Sequence, residues 1–294
     1  MENIDTLCLC SGGMKGIVYF GILSYLETNK FINLNNIHTY AGSSVGGLIG
    51  FLFSIGYSVN EMIDFTLNFN FASIQTELNC EDIFTNYGIC SNHKIVIILE
   101  HFLKHKYNII DITFIDLYKL TGKKLVIIGT NISDSCYEVF DYNNTPDMSV
   151  MLALKITSCI PVLFEPILYK NKYYVDGGIG NAFPINYCNI NTTLGLYVIT
   201  RSRKIDSIKN VMLSCITILQ NVPYKERIEY NNVIKIENID INFDEFDASK
   251  ERKQELIDRG INIANDYINN FKKKEKELVS ITPNGIELKL NIDI

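Results

Sequence analysis

The sequence predicts an α/β fold, with a mainly parallel central sheet flanked by helices on both faces. Three observations carry this expectation. Short apolar segments of strand character alternate with longer stretches of helical apolar period along roughly the first 200 residues. The run Lys124-Leu125-Val126-Ile127-Ile128-Gly129 is continuously apolar at its centre, the pattern of a strand buried on both faces. Glycine-rich turns join strand to helix twice, at residues 11–16 and 42–47.

Taken in order, Thr6-Leu7-Cys8-Leu9-Cys10 predicts a short buried strand with Cys8 and Cys10 on one face. A glycine turn comes next, then a helix over 16–29 with apolar Val18, Phe20, Ile22, Leu23 and Leu26. Residues 37–41 read as the second strand and 45–56 as the helix leaving it, and 59–71 and 93–106 predict further helices. The buried strand 124–129 is expected to pair with 137–140, and 149–157 is helical. Pro161 and Pro166 punctuate the next stretch, and 167–175 reads as a hairpin turning at Lys170-Asn171-Lys172. Residues 194–200 form another core strand. The charge-rich 245–276 stretch carries Leu256, Ile257, Ile261, Ala264, Ile268 and Phe271 on one side, a long amphipathic helix expected to pack on the sheet layer. Without an internal repeat, low-complexity tract or linker, one domain is the simplest organisation.

The 294 residues are 47% hydrophobic and 20% charged, a globular composition with enough chain to bury a core. A net charge of -6 argues against nucleic acid as a partner, because phosphate binding needs a positive field. Basic clusters at 201–204 and Lys272-Lys273-Lys274 read as solvated faces or helix ends, with contact to anionic lipid heads as the sharper alternative. The eight cysteines (Cys8, Cys10, Cys80, Cys90, Cys136, Cys159, Cys188, Cys215) show no C-x-x-C pair and no matching histidine spacing. That fits reduced thiols in a cytoplasmic protein, not a disulfide framework or metal site. Glu2 and Asp5 precede the first apolar stretch, which a secretory signal would not have. Residues 39–60 carry no charge, but six glycines and serines in the first half make a strand, turn and buried helix the better reading than a membrane span.

The chemistry centres on Ala41-Gly42-Ser43-Ser44-Val45-Gly46-Gly47. A serine on a tight strand-to-helix turn, with small residues two before and two after, is the pattern of the nucleophile elbow of acyl-transfer hydrolases, and taken alone also that of a plain glycine-rich turn between strand and helix. Gly42 and Gly46 flank Ser44, not Ser43, so Ser44 is the candidate nucleophile. Upstream, Ser11-Gly12-Gly13-Met14-Lys15-Gly16 lacks both the dinucleotide fingerprint and the P-loop spacing. Backbone N–H groups of such a turn at a helix N-terminus suit an oxyanion hole. Lys15 is unusual at a helix N-terminus; a functional or anchoring role and a plain surface lysine both stay open.

A serine nucleophile needs a base. His38, His93, His101 and His105 all lie before residue 106, so the Ser…Asp…His order has no late histidine. His38 reads as a strand residue, and the other three share one helix. Asp176, in Tyr173-Tyr174-Val175-Asp176-Gly177-Gly178, ends a buried strand, and the glycines after it let the carboxylate approach a serine closely; by itself the segment also reads as an Asp-Gly turn closing a hairpin.

In this order, the turn Gly12–Gly16, the elbow Gly42–Gly46 and Asp176-Gly177-Gly178 resemble the patatin-like phospholipases. Two further stretches match, 158–166 (Ser-Cys-Ile-Pro-Val-Leu-Phe-Glu-Pro) and Asn181-Ala182-Phe183-Pro184. The resemblance spans roughly 5–200 and implies a patatin-like three-layer α/β/α catalytic domain there, with 201–294 as a helical extension packed on the same domain. It implies that Ser44 attacks an ester carbonyl, Asp176 takes its proton, and N–H groups around Gly12 and Gly13 hold the oxyanion. Gly16, Gly42, Gly46, Gly177 and Gly178 are the motif glycines. No cofactor or metal is called for. The implied substrate is a phospholipid or other acyl-ester lipid, met through peripheral membrane contact. Ser11 stands where the family usually has a third glycine; being small, it is expected to keep its own N–H available. A soluble esterase or lysophospholipase, and a non-catalytic lipid-binding protein on the same scaffold, are the alternatives. Phe65, Phe69, Phe71 and Phe84 read either as part of an acyl tunnel or as ordinary core.

Overall fold

The computed structural model describes residues 3–74, 87–199, 205–221 and 232–280. Thr200, Cys80, Phe84 and the basic cluster at 201–204 lie outside them, as does the Lys274 side chain. An eight-stranded, mostly parallel sheet organises the chain, with helices around it. Its strands run in the order β10 (Val233–Ile236), β9 (Thr193–Val198), β1 (Thr6–Leu9), β2 (Thr39–Gly42), β4 (Lys124–Asn131), β8 (Lys172–Asp176) and β7 (Ile167–Tyr169), with β5 (Cys136–Phe140) also on β4. The pairs from β10 to β4 are parallel, while β5, β7 and β8 are antiparallel. A separate parallel pair joins β3 (Gly88–Cys90) to β6 (Val162–Phe164).

The central strands β1, β2, β4 and β9 are buried almost throughout, which is why their sequences are continuous apolar runs. Alternate residues serve different cores. Leu7, Leu9, Tyr40, Leu125 and Ile127 belong to the large one, and Cys8, Cys10, Ala41 and Val126 to a smaller cluster with Phe183 and Tyr197. Cys8 and Cys10 thus share one face. The described cysteines are free thiols.

The helices begin and end on local signals. α1 (Ile17–Thr28) succeeds the glycine turn, and α2 (Val45–Ser54) leaves the elbow and stops before Gly56, at φ 89°. α3 (Val59–Asn68) opens on a reciprocal capping box between Ser58 and Glu61. It stops before 71, where a single 3₁₀ turn, Phe71–Ile74, takes over. α4 (His93–Tyr107) ends on Asn108 in the left-handed region, and α5 (Phe114–Thr121) runs from a Thr113 cap to Gly122 at φ 69°. α6 (Val150–Thr157) is capped by the Ser149 hydroxyl. The β7–β8 hairpin turns on Lys170 and Asn171, both at positive φ, as a two-residue hairpin turn matched to strand twist requires.

The remaining α-helices among the described residues are α7 (Gly177–Gly180), α8 (Ile208–Asn221) and α9 (Lys250–Ser280). α9 corrects one expectation: it lies chiefly along α1, not on the sheet. Gly21 and Gly260 let the two backbones touch; a Cβ on Gly21 would fall 2.0 Å from the Ile257 carbonyl oxygen. Leu256, Ile257, Ala264 and Ile268 are buried, Phe271 packs edge-on to Phe31 at 5.3 Å, and Lys272 and Lys273 are exposed. The segment after 200 is also not purely helical, because β10 extends the main sheet. β3, β6, β10 and the short helices α5 and α7 have too few residues to show a period in the sequence. No helix among the described residues is long and apolar enough to cross a membrane.

Candidate active site

Ser44 sits between β2 and α2 at φ 52°, ψ -128°, a backbone conformation that L-residues rarely adopt and that costs about 1–3 kcal/mol. Its surroundings hold it there. The Ser44 N–H donates to Thr157 Oγ1 at 2.9 Å, and the Gly46 N–H donates to the Ser43 carbonyl at 2.9 Å. The turn is also pressed against β1: a Cβ on Gly46 would lie 2.2 Å from the Leu9 carbonyl oxygen, and one on Gly42 2.3 Å from the Gly46 carbonyl carbon.

β4 brings the second residue to this turn. Gly42 pairs with Ile127 and Asp176 with Gly129, residues two apart on one strand and so on one face. The Ser44 hydroxyl donates to Asp176 Oδ2 at 2.6 Å, and the Gly178 N–H donates to Oδ1 at 2.7 Å. The Asp176 backbone is equally tied: its N–H donates to the Cys159 carbonyl at 2.8 Å, and its carbonyl accepts from Thr130 Oγ1 at 2.8 Å. Gly177 and Gly178 begin α7 directly behind the carboxylate. Asp176 is only 2% exposed, and burial pushes its carboxyl up to about 7, against the pull of the Ser44 and Gly178 hydrogen bonds.

The glycine turn is the third component. Gly12 precedes a 3₁₀ turn, Gly13–Gly16, that runs into α1. Gly13 adopts φ 53°, and a Cβ there would lie 2.1 Å from the Phe243 carbonyl oxygen, which accepts the Met14 N–H at 3.0 Å. Among the described residues no acceptor takes the N–H of Gly12 or Gly13. Both glycines line a small cavity with Ser44 and Asp176, closed by Ile160, Pro161, Ile179, Ile216 and Phe243. Gly16 packs on Val45 at the start of α2. Two expectations change here. The Ser11 N–H is not available, because it donates to the Ala182 carbonyl at 2.8 Å. Lys15 is not a surface lysine, since it is 4% exposed.

The histidines lie elsewhere. His38 precedes β2, its carbonyl accepting the Lys124 N–H at 2.7 Å. On α4, His101 Nδ1 lies 2.6 Å from the Ile97 carbonyl and His105 Nδ1 2.9 Å from the Tyr57 hydroxyl. None of the four lines either cavity that meets Ser44.

The second of those cavities is apolar, with a volume of about 150 Å³. Ile17, Phe20, Leu52, Phe102 and Phe164 are among its walls, and among the described residues no charged one contributes. Phe65, Phe69 and Phe71 line it and also pack on one another, with Phe65 and Phe69 stacked at 4.8 Å. These three rings are thus both core and cavity wall.

Sequence reasoning missed Thr157, Thr130, Phe243 and Ile216. The threonines end apolar segments without any motif, and the other two come from beyond residue 200, where nothing marked them.

Comparison with known proteins agrees with this architecture. A family model described as patatin-like phospholipase matches residues 7–188. The chain is 37% identical over 183 residues to "Probable lipid hydrolase 463L" of Invertebrate iridescent virus 6, covering 62% of each chain. It is 27% identical over 199 residues to an uncharacterized protein of Acanthamoeba polyphaga mimivirus, covering 66% of this chain and 65% of that one. The chain thus matches less than two thirds of the length of either viral protein. Among solved structures, VipD from Legionella pneumophila superposes with a TM-score of 0.59 at 17% identity, over 91% of this chain and 67% of VipD. The type III effector protein ExoU of Pseudomonas aeruginosa does so with 0.51 at 13% identity, over 91% and 53%. At such identities the likeness is one of fold. The family match, in contrast, takes in more than half of the chain, and the chain belongs to the patatin-like phospholipase family.

Proposed function

We propose that this chain is a lipid acyl hydrolase that cleaves fatty-acyl esters of phospholipids, with Ser44 as nucleophile and Asp176 as base. The observation that carries the reading is the 2.6 Å hydrogen bond from the Ser44 hydroxyl to Asp176, at the point where an apolar cavity meets the glycine turn. Family membership and the 37% identical relative's printed name support the same class of chemistry.

In this reading the acyl chain enters the apolar cavity, which sets its carbonyl beside Ser44 Oγ. As Oγ attacks, Asp176 Oδ2 takes the hydroxyl proton, and a carboxylate poised near neutrality suits that task. The tetrahedral oxyanion accepts the N–H groups of Gly12 and Gly13, each donor worth about 3 kcal/mol in the transition state. Collapse expels the glycerol-side alkoxide, which takes the proton from Asp176 and leaves an acyl ester on Ser44. Asp176 then deprotonates a water that attacks the acyl ester. The second collapse returns the proton to Ser44 and releases the fatty acid. Ser44, Asp176 and water account for every proton and electron pair. The catalytic unit is residues 5–200, with 201–294 contributing cavity walls at Ile216 and Phe243.

Fatty-acid release from mixed phospholipid vesicles, measured by mass spectrometry, tests the reading. Ser44→Ala and Asp176→Asn should each lower it by on the order of 10⁴-fold with the circular dichroism unchanged. Substitution of His38, His93, His101 or His105 should leave it intact. Full release by the Ser44→Ala variant would end the proposal.

A further inference from the structure

α8 is apolar on both sides. From Asn210 to Asn221 it carries no charged residue. Leu213, Ile216 and Thr217 face inward, and the helix rests on α7, the turn directly after Asp176. Ile216 reaches the small cavity at Ser44 and Asp176. The opposite face, at positions one and two helical turns apart, is Val211, Met212, Cys215, Ile218 and Leu219, all exposed, with Ile218 at 60% and Leu219 at 54%. A surface helix ordinarily keeps polar residues on its outer face. Exposed contiguous apolar stripes mark a surface that another phase or molecule covers.

We propose that the outer face of α8 docks this protein onto a lipid bilayer, which sets the bilayer against the helix that walls the Ser44–Asp176 cavity. The proposal rests on the lipid-hydrolase reading for the identity of the substrate, but the docking surface stands on its own residues. Three observations choose a bilayer as the occupant. On the inner face of α8, Ile216 walls the small cavity at the Ser44–Asp176 pair, so a membrane touching the outer face lies one helix away from the nucleophile. The stripe lacks the charges that fix a protein partner in one orientation. It is also small: a helix of 14 residues is roughly 21 Å long, and one stripe along it falls short of the roughly 800 Å² per partner of a stable protein interface. Immersing two or three aliphatic side chains in the interface, in contrast, is enough for reversible membrane binding.

Ile218→Ser/Leu219→Ser in the full chain changes only the outer face. Flotation with phosphatidylcholine vesicles containing one quarter phosphatidylglycerol reads docking directly. Hydrolysis of a soluble short-chain nitrophenyl ester reads the Ser44 site without a membrane. The double variant should lose about tenfold or more in vesicle partitioning and in turnover on vesicles. Its turnover on the soluble ester should stay within about twofold of wild type. Ser44→Ala should bind vesicles as wild type does. Unchanged partitioning of the double variant overturns the proposal. So does a wild-type dimer in sedimentation velocity that the double variant dissolves while vesicle binding persists, because a second copy would then be the occupant. Vesicle binding that depends on Ile218 and Leu219 in a protein without esterase activity would sustain the docking surface and remove the hydrolase reading.

Discussion

The turn from β2 into α2 and the turn from β1 towards α1 both carry glycines and both face Ser44, yet packing constrains them differently. At the elbow the glycines are demanded by neighbouring backbone: Leu9 lies against Gly46, and Gly46 against Gly42. In the other turn the two adjacent glycines are unequal. Gly13 has a positive φ and the Phe243 carbonyl against it, while a Cβ on Gly12 would meet its nearest neighbour, Lys15 Cβ, at an ordinary 3.6 Å. The elbow is therefore built from strands that touch each other locally in the sheet. The glycine turn depends on a loop some 230 residues further along the chain. Identical residue types in a motif do not carry identical burdens; the group that passes behind each one decides.

The comparison can be broken at several points. The largest effect is expected at the elbow. Gly46→Ala drives a methyl into the Leu9 carbonyl and should destabilise the fold by about 4 kcal/mol or more, read from the denaturant midpoint. Gly13→Ala comes next. Relief of its clash with Phe243 shifts the turn and misaims an N–H that the proposed mechanism uses as an oxyanion donor, so kcat should fall by about 100-fold, with a smaller loss of stability. An acidic limb arises from Asp176. Burial pushes its carboxyl up to about 7, and in the proposed mechanism only the ionised form accepts the serine proton, so kcat/KM should fall about tenfold per pH unit below that value. The same group's contribution to stability has the opposite sense. A carboxyl raised from an ordinary 3.8 favours the folded state at low pH, and that contribution is lost as the pH climbs through about 7. Asp176→Asn should accordingly gain in Tm relative to the parent between pH 4 and pH 8. The smallest effect belongs to Gly12→Ala, which should keep kcat/KM within about threefold. Equal damage from Gly12→Ala and Gly13→Ala would show that the two positions are equivalent after all.

Much of this molecule is legible in its sequence. The apolar run at 124–129, the strand before Gly12 and the elbow each have a local signature, because burial on both faces and tight turns restrict residue types at short range. Asp176 stands out only by elimination among the histidines and by the two glycines after it. The features that escape are instructive in a different way. The Ser11 N–H reads as free and is spent on Ala182, since a hydrogen-bond partner 171 residues away leaves no trace in the local sequence. Lys15 can be read as a surface residue and is buried. The long C-terminal helix has an apolar stripe that says it packs, but the choice of α1 over the sheet was made by Gly21 and Gly260 meeting across the interface.

By itself, the sequence determined the α/β alternation, the strained serine turn and the candidate pair of Ser44 and Asp176, because periodicity and turn chemistry act over a few residues. Only the tertiary structure decided that β4 would lay those two side chains 2.6 Å apart. It also decided that Phe243 would wall the glycine turn and that α8 would cover the site with an apolar outer face. These are contacts between distant segments, and their geometry is settled by the packing of the whole chain.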